Sequence, residues 1–494
     1  MSDTLRELER ASLDARDPFL VSPARKGPGG VDPLGLRQIN FDLMNEVFPG
    51  LNNVARHIRP FTLISWAWRR TVALARKQKR KLPPSAHEDF VARIEVAFAW
   101  SMLLCRGGTD LDLPGKRTIS RRWGEAKQIT FGDDAWLEFV KARRNSTSLI
   151  AAINYGPGLR AFRLLEDDLG QIGARVPGKA TEAMLDAFES HIAPMLTHKL
   201  FRGWDDCVLT RKQAIAWGEI WDMDELLDAE RETMHERLIG DRASPTRRAG
   251  FKLLRDALED WEAPEESDAR EAMGDLDEGE CADTSLAWRR LQVRQGFRLA
   301  LEALLEWVVA EIGDRTVTTA ELSRRFIEAA GGKAVRTADW LRKRTPAAYS
   351  GVDALAALDT AFSSRTGLER AILAGIGVGV LAGKELQDGS ERRDRLPIAQ
   401  ATADFERLKD VPREVFVSHV IEQWVIAQHT YWSVGRGLAD ARSGNNSILR
   451  LRLVLEPAGW RVTRGRGSRS MPRPTPDRVR TAISLAREAG IIEI

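Results

Sequence analysis

Cysteine and tyrosine are scarce in this chain, with three of each in 494 residues. Cys105, Cys207 and Cys281 are too few and too widely spaced for a disulfide framework, a zinc ribbon or a zinc finger. Long hydrophobic runs are missing as well. The longest near-apolar stretch, Ala371 to Gly383, falls short of the roughly 18–20 residues that cross a bilayer. Met1 to Arg10 alternates acids and bases and has no apolar segment of the secretory kind. The seven histidines do not cluster, and neither His-Glu-x-x-His nor Gly-x-Ser-x-Gly occurs. No repeat of fixed period is present. These absences exclude a secreted disulfide scaffold, a helical membrane protein, a zincin and an α/β-hydrolase. The expectation is a cytoplasmic globular protein of two to four domains in a reducing compartment, binding no metal and no cofactor, with no membrane contact. No motif defines a reaction.

What the chain does have is unevenly placed charge. The formal net charge is only +3, yet residues 1–150 hold 25 Lys/Arg against 17 Asp/Glu, and residues 442–494 hold 11 Arg against 4 acids. Between them, residues 256–283 hold 13 acids and one base, Arg270. Basic ends around an acidic middle point to an anionic partner. Of the 74 basic residues 59 are Arg, whose planar fork suits phosphate.

The pattern reads as mainly α, a multidomain helical protein with a small winged-helix-like α+β module at the C-terminus. Residues 1–33, punctuated by Pro and Gly, form a flexible leader. Residues 34–262 form an N-terminal helical domain. It includes helices over Phe41–Phe48 and Phe61–Lys81, a capping box at Ser85-Ala86-His87-Glu88, an irregular stretch over 106–147 and a Ser244-Pro245 helix start. Residues 263–283 are an acidic linker. Residues 284–410 form a central helical domain, opening with one helix from Thr284 to Ile312 that Gly313 stops. Two short helices follow around Gly331-Gly332, and two more start near Gly351 and Leu368. Residues 411–494 form the basic winged-helix-like domain. There Leu449, Leu451, Leu453 and Leu455 alternate with Arg450 and Arg452 as a strand. Glu456-Pro457-Ala458-Gly459 turns it, Trp460-Arg461-Val462 returns, and Thr475-Pro476-Asp477 caps a final helix.

Candidate chemistry is thin. Gly375-Ile376-Gly377-Val378-Gly379 is followed by Gly383-Lys384, but its spacing and Glu385 fit neither a Walker A loop nor a dinucleotide fingerprint. Small residues that let a helix pack closely are the expectation. Asp110, Asp112, Glu125 and Lys127 form the only arrangement resembling a nuclease, with carboxylates for Mg²⁺ and a Lys to polarise water or phosphate. Asp112, Glu125 and Lys127 are the candidate catalytic set. The strongest signal is Arg461, Arg464, Arg466, Arg469 and Arg473, which lie among Gly and Ser with no acid and suit phosphate contact along a groove. Arg478 lies at the start of the following helix, where backbone N–H groups attract anions. The run Arg76, Lys77, Lys79, Arg80 and Lys81 is a second basic cluster. Most tryptophans lie in apolar periodic segments and read as core, whereas Trp123, Trp340 and Trp460 sit beside Arg and could stack on an unpaired base.

The stretch Phe48-Pro49-Gly50-Leu51-Asn52-Asn53-Val54-Ala55-Arg56, with Arg59-Pro60-Phe61-Thr62-Leu63 and Trp66 after it, resembles a poorly characterised bacterial family found in anti-phage defence gene clusters. The Tyr155-Gly156-Pro157-Gly158 turn and the C-terminal Leu/Arg strand plus helix are similar too, although Pro60-Phe61 stands where that family's pattern has Tyr after the Arg. The resemblance implies a multi-gene system whose other subunits (an ATPase, helicase or nuclease) are partners. The expected function is a non-catalytic nucleic-acid-binding or scaffold subunit that contacts DNA or RNA through Arg-rich segments. A metal-dependent nuclease with an atypical centre and a purely protein–protein helical scaffold are the alternatives.

Overall fold

The computed structural model describes residues 32–493 except 108–111, 143–147, 152–153, 169–174, 260–265, 277, 346–349, 365, 390–392, 443–450 and 464–471. The leader at 1–33 thus falls almost wholly outside the described residues. The chain divides into two compact units. The larger comprises Phe41–Leu291 with Thr475–Ile494, and the smaller comprises Met1–Asn40 with Gln292–Pro474. The fold is mainly helical, as the periodicity predicts.

The first helices are α1 (Arg37–Val47), α2 (Arg59–Lys77) and α3 (Pro84–Cys105). The helix α3 starts on Pro84 with Pro83 as its N-cap and no side-chain cap. Proline at the first helical position therefore replaces the capping box expected at Ser85. The stretch expected to be irregular holds α4 (Lys116–Trp123), β1 (Gln128–Phe131) and α5 (Asp134–Ala142). The strand β1 pairs antiparallel with β4 (Cys207–Thr210), Gln128 facing Thr210 and Phe131 facing Cys207. Between them lie α6 (Gly156–Ala161), the β2–β3 hairpin (Leu165–Asp167 with Arg175–Pro177) and α7 (Glu182–His191). Then come α8 (Arg211–Ile220), α9 (Asp228–Leu238), α10 (Pro245–Ala257) and α11 (Glu266–Asp275). As expected, Ser244 caps α10, its Oγ accepting from the Arg247 N–H at 3.4 Å. The acidic segment read as a linker contains α11, which buries Ala269 and Met273. Its one base, Arg270, pairs with Glu266 and with the buried Asp477 at 2.6 Å.

The long helix α12 (Ala282–Ile312) matches the expected span, and Gly313 ends it at φ +57°. Its residues from 293 onward form the spine of the smaller unit's core, where Phe297, Leu301, Leu305 and Val308 are fully buried. Around it stand β5 (Thr316–Val317), α13 (Thr319–Ala330), α14 (Thr337–Arg344), α15 (Gly351–Ser364), α16 (Leu368–Leu381), α17 (Ile398–Leu408), α18 (Arg413–His419) and α19 (Gln428–Arg442). A π-helical turn, Val420–Ala427, joins α18 to α19. The glycines of α16 do what small residues allow. A Cβ on Gly375 would sit 2.8 Å from Ala300, one on Gly379 2.4 Å from Phe297, and one on Gly377 1.9 Å from the Thr345 hydroxyl. They permit close packing, and no phosphate loop exists here.

The hairpin β6 (Leu453–Glu456) and β7 (Gly459–Val462) forms as expected, and β5 adds to it through Thr316–Arg461 and Val317–Trp460, giving the order β5-β7-β6. The last helix, α20 (Val479–Glu488), belongs to the larger unit. The single C-terminal module expected over 411–494 is therefore divided, with its hairpin in one unit and its helix in the other. The division follows from packing. Leu453 enters the core of the smaller unit, while Val479, Ala482 and Leu485 are buried against α9, α10 and α11.

Candidate nucleic-acid interface

Arginine has two different uses in this fold. One set is internal. Arg59 pairs with Glu230 at 3.0 Å, both fully buried, and also donates to the Glu225 carbonyl. Arg294 pairs with Asp388 at 3.3 Å, donates to the carbonyls of Leu396 and Arg395, and is depressed to about 10 by burial. Arg298 pairs with Glu302 at 2.7 Å and donates to the Arg473 carbonyl. Burial raises the Glu302 carboxyl, against the pull of Arg298 and Arg37. Arg247 lies over the Phe162 ring, 4.8 Å from its centroid. These cations are desolvated and face carboxylates, carbonyls or rings, so they hold the fold, and their burial keeps them from a ligand.

Arg478 joins this set, which overturns its expected phosphate role. Its guanidinium donates to Asn45 Oδ1 and to the Phe48 carbonyl, both at 2.7 Å, and burial lowers it to about 10. The expected cap moves as well. The helix starts at Val479, not at Thr475, with Arg478 at φ +73° before it. The Asp477 carboxylate accepts the Val479 N–H and faces Arg270. The anion position at this helix end is thus taken by the protein's own carboxylate.

The second set faces water. Arg76, Lys77, Lys79, Arg80 and Lys81 are all exposed, and none lies within ion-pair distance of a described acid. They surround the end of α2, which closes with Lys79 N–H to the Arg76 carbonyl (3.1 Å) and Arg80 N–H to the Ala75 carbonyl (2.9 Å). This double closure requires the left-handed conformation at its central residue, a place glycine usually fills. Here Lys79 fills it, at φ +51°. Arg80 then lies over the half-buried Trp204 ring, 5.5 Å from its centroid. Trp204 is fixed by its Nε1–H to the Ala86 carbonyl (3.1 Å) and by Phe90 (5.9 Å).

Of the C-terminal arginines, Arg461 is exposed on β7 and pairs with Glu456 at 3.3 Å. Arg473 is exposed and gives only its carbonyl to Arg298. Arg464, Arg466 and Arg469 lie outside the described residues.

Of the nuclease candidates, Asp112 is held by Arg56, whereas Glu125 and Lys127 are exposed between α4 and β1. Among the described residues the sheet that β1 joins has two strands. Asp110 lies outside the described residues. Among the described residues no group of three or more His, Cys, Asp or Glu is placed to hold a metal ion, and no helix is long and apolar enough to cross a membrane.

Tryptophan is mainly core, with Trp66, Trp68, Trp100, Trp136, Trp221, Trp288, Trp340 and Trp424 under 2% exposed. Trp340 therefore has no face for a base, contrary to expectation. Trp123 packs on Phe139 at 4.8 Å, and Trp460 donates its Nε1–H to Thr319 Oγ1. The platform that sequence spacing misses is Trp204, which is 124 residues from Arg80 and has no local signal linking it to that cation. A signal was present for α4. It has Lys116, Arg117, Arg121 and Arg122 and no acid, and only Ile119 is buried.

No family model, curated protein or solved structure matches the chain.

Proposed function

We propose that this protein is a non-catalytic nucleic-acid-binding subunit that holds the phosphate backbone and supplies a scaffold for the chemistry of other subunits. The observation that carries this reading is the contrast between the two arginine sets. Cations inside the fold have acids, carbonyls or rings as partners, while the five at Arg76–Lys81 stand in water without a described acid. Unpaired exposed cations of one sign repel one another, and polyanion binding relieves that repulsion while releasing condensed counterions. The bacterial anti-phage setting, with an ATPase, helicase or nuclease as partner, rests on the sequence resemblance.

The hairpin of the expected winged-helix-like module belongs to the smaller unit. There β5, α13 and α14 precede the β6–β7 hairpin, and the hairpin pairs back on β5. The N-terminal end of α14 does not suit base readout, because its Thr337 and Ala338 N–H groups donate to the Val411 and Lys409 carbonyls. Contact from this unit would come from Arg461 and Arg473 on either side of residues 464–471, and would read phosphate, not sequence.

The test is binding of the full chain to single-stranded DNA, duplex DNA and RNA over 50–200 mM salt, with a Mg²⁺ arm that reports cleavage. Five phosphate contacts predict a slope of log K on log salt of about −3.5 to −4.5. A flat salt response or no binding to any of the three would overturn the reading in favour of a protein–protein scaffold, and cleavage would overturn it in favour of a nuclease.

A further inference from the structure

The helix α3 anchors one exposed cationic cluster near each of its ends. Near its start, the Ala86 carbonyl holds Trp204, over which Arg80 lies. Near its end, Trp100 Nε1–H holds the Trp123 carbonyl at 2.9 Å, which fixes the end of α4. The fourteen residues from Ala86 to Trp100 span about 21 Å at 1.5 Å per residue, and at 100° per residue they return to within about 40° of the same side of the helix. Between these anchors Arg93 of α3 donates to the Asp205 carbonyl just before β4 (3.0 Å) and Asp89 accepts Trp136 Nε1–H just after β1 (2.8 Å), with Lys127 exposed just before β1 and Lys212 exposed just after β4.

At the far end, α4 exposes Arg117 and Arg121, one turn apart on one face, with Arg122 beside them. Arg117 and Arg121 have no described acid as partner, and Arg122 lies over Trp123 while donating to the Ala135 carbonyl. A helix of this composition has no pair of opposite charges along it. Its cations are spread along its whole length, so only the last turn is favoured by the dipole. At the near end, an indole held at its edge by the Ala86 carbonyl and covered by one flexible guanidinium is a surface for a planar ring. A base in a duplex has no free face to offer it, whereas an unpaired base does.

We propose that the larger unit binds single-stranded nucleic acid over the elements that cover the buried helix α3, in the direction of that helix, with phosphates held by Arg76–Lys81 at one end and by Arg117, Arg121 and Arg122 at the other, and one base stacked on Trp204 in place of Arg80. The proposal rests on the nucleic-acid reading above and adds the class of strand and the path. The length matches a tract at the short end of the roughly 4–16 nucleotides typical of such grooves.

The experiment measures anisotropy of labelled dT12, U12 and a 12-base-pair duplex with the full chain, for the wild type, the Arg117→Gln/Arg121→Gln double variant and Trp204→Leu. Both arginines are exposed, so the double variant retains the fold, which circular dichroism verifies. The single strands should bind more tightly than the duplex. The double variant should reduce the salt slope by about 1.4, two phosphates at about 0.7 each. Trp204→Leu should weaken single-strand binding about 5- to 150-fold, the loss of one stacked base, with the slope unchanged. Single-strand binding that is unaffected by both variants overturns the path while leaving the nucleic-acid reading intact. Preference for the duplex overturns the class of strand. Failure of all three probes to bind overturns both readings together.

Discussion

Replacing Lys79 with glycine should make the protein more stable and a poorer binder of nucleic acid at once. Lys79 holds φ +51° so that the α2 end can close through the Arg76 and Ala75 carbonyls. For a residue with a Cβ this conformation costs about 1–2 kcal/mol. Glycine removes that cost but adds about 0.5–1 kcal/mol of backbone freedom to the unfolded chain. The net gain is about 0.5–1 kcal/mol, or about 1–4 °C in the melting of a unit of this size. Lys79 is exposed with no ion pair to a described acid, and the attraction of the α2 dipole for its charge is opposed by repulsion from Arg76, Lys77, Arg80 and Lys81. The same substitution removes one phosphate contact, which lowers the salt slope by about 0.7–0.9. Lys79→Ala separates the two effects. It loses the charge and keeps the strained backbone, so its slope falls as in the glycine variant while its melting point stays near the wild type. Thermal denaturation followed by circular dichroism, with salt-dependent anisotropy on the same three proteins, reads both quantities. A glycine variant that melts below the wild type, or a slope that neither substitution moves, refutes the reasoning.

The two units should respond to pH with opposite signs. His429 is buried, its Nδ1–H donating to the Pro33 carbonyl (2.8 Å) and its Nε2 accepting the Arg452 N–H (3.0 Å), and burial depresses it to about 4. The unfolded chain binds a proton near pH 6.5 and the folded unit does not, so the smaller unit loses about 3 kcal/mol as pH falls from 6.5 to 4. His429→Gln should flatten that profile in calorimetry. His57 is the reverse case. Burial alone would lower it, but its hydrogen bond to Glu488 (2.8 Å) and that carboxylate's charge outweigh burial and raise it. The larger unit therefore gains this contribution below the ordinary histidine range and loses it as pH rises through the elevated value, and Glu488→Gln should abolish the dependence. Glu230→Gln should destabilise the larger unit by about 3–5 kcal/mol in urea denaturation, because it strands the buried Arg59 charge, while a joint Arg59→Met/Glu230→Leu replacement should recover most of the loss.

Local signals carried the sequence reading further than long-range ones. The span of α12, its stop at Gly313, the Ser244 cap and the Leu453–Val462 hairpin each depend on neighbours within a few residues. The glycines of α16 were legible because failed motif spacing left packing as their use. The pairing of β1 with β4 was not legible, because Gln128 and Thr210 are 82 residues apart and each strand is only four residues long. Nor was the fate of individual arginines. Arg76 and Arg478 are chemically identical and both stand beside apolar helical segments, but only tertiary packing turns Arg478 onto Asn45 and the Phe48 carbonyl. Of the candidate interface, the basic run at 76–81 was visible as composition, whereas its aromatic partner Trp204 depends on the chain's return to Ala86.

The place of α20 has a consequence for synthesis on the ribosome. Residues 475–494 complete the unit that begins at Phe41, and Glu488 reaches His57 and the Ile58 N–H while Ser484 reaches the Arg56 carbonyl. All of Gln292–Pro474 must be translated first. At about 5–20 residues per second, that leaves the larger unit without its closing helix for roughly 10–40 s after Leu291 is added. During that interval the apolar surface that Val479, Ala482 and Leu485 will cover is open. Nascent chains arrested between Leu291 and Pro474 are thus the species on which a chaperone would act, and the smaller unit would finish folding before the one that precedes it in sequence.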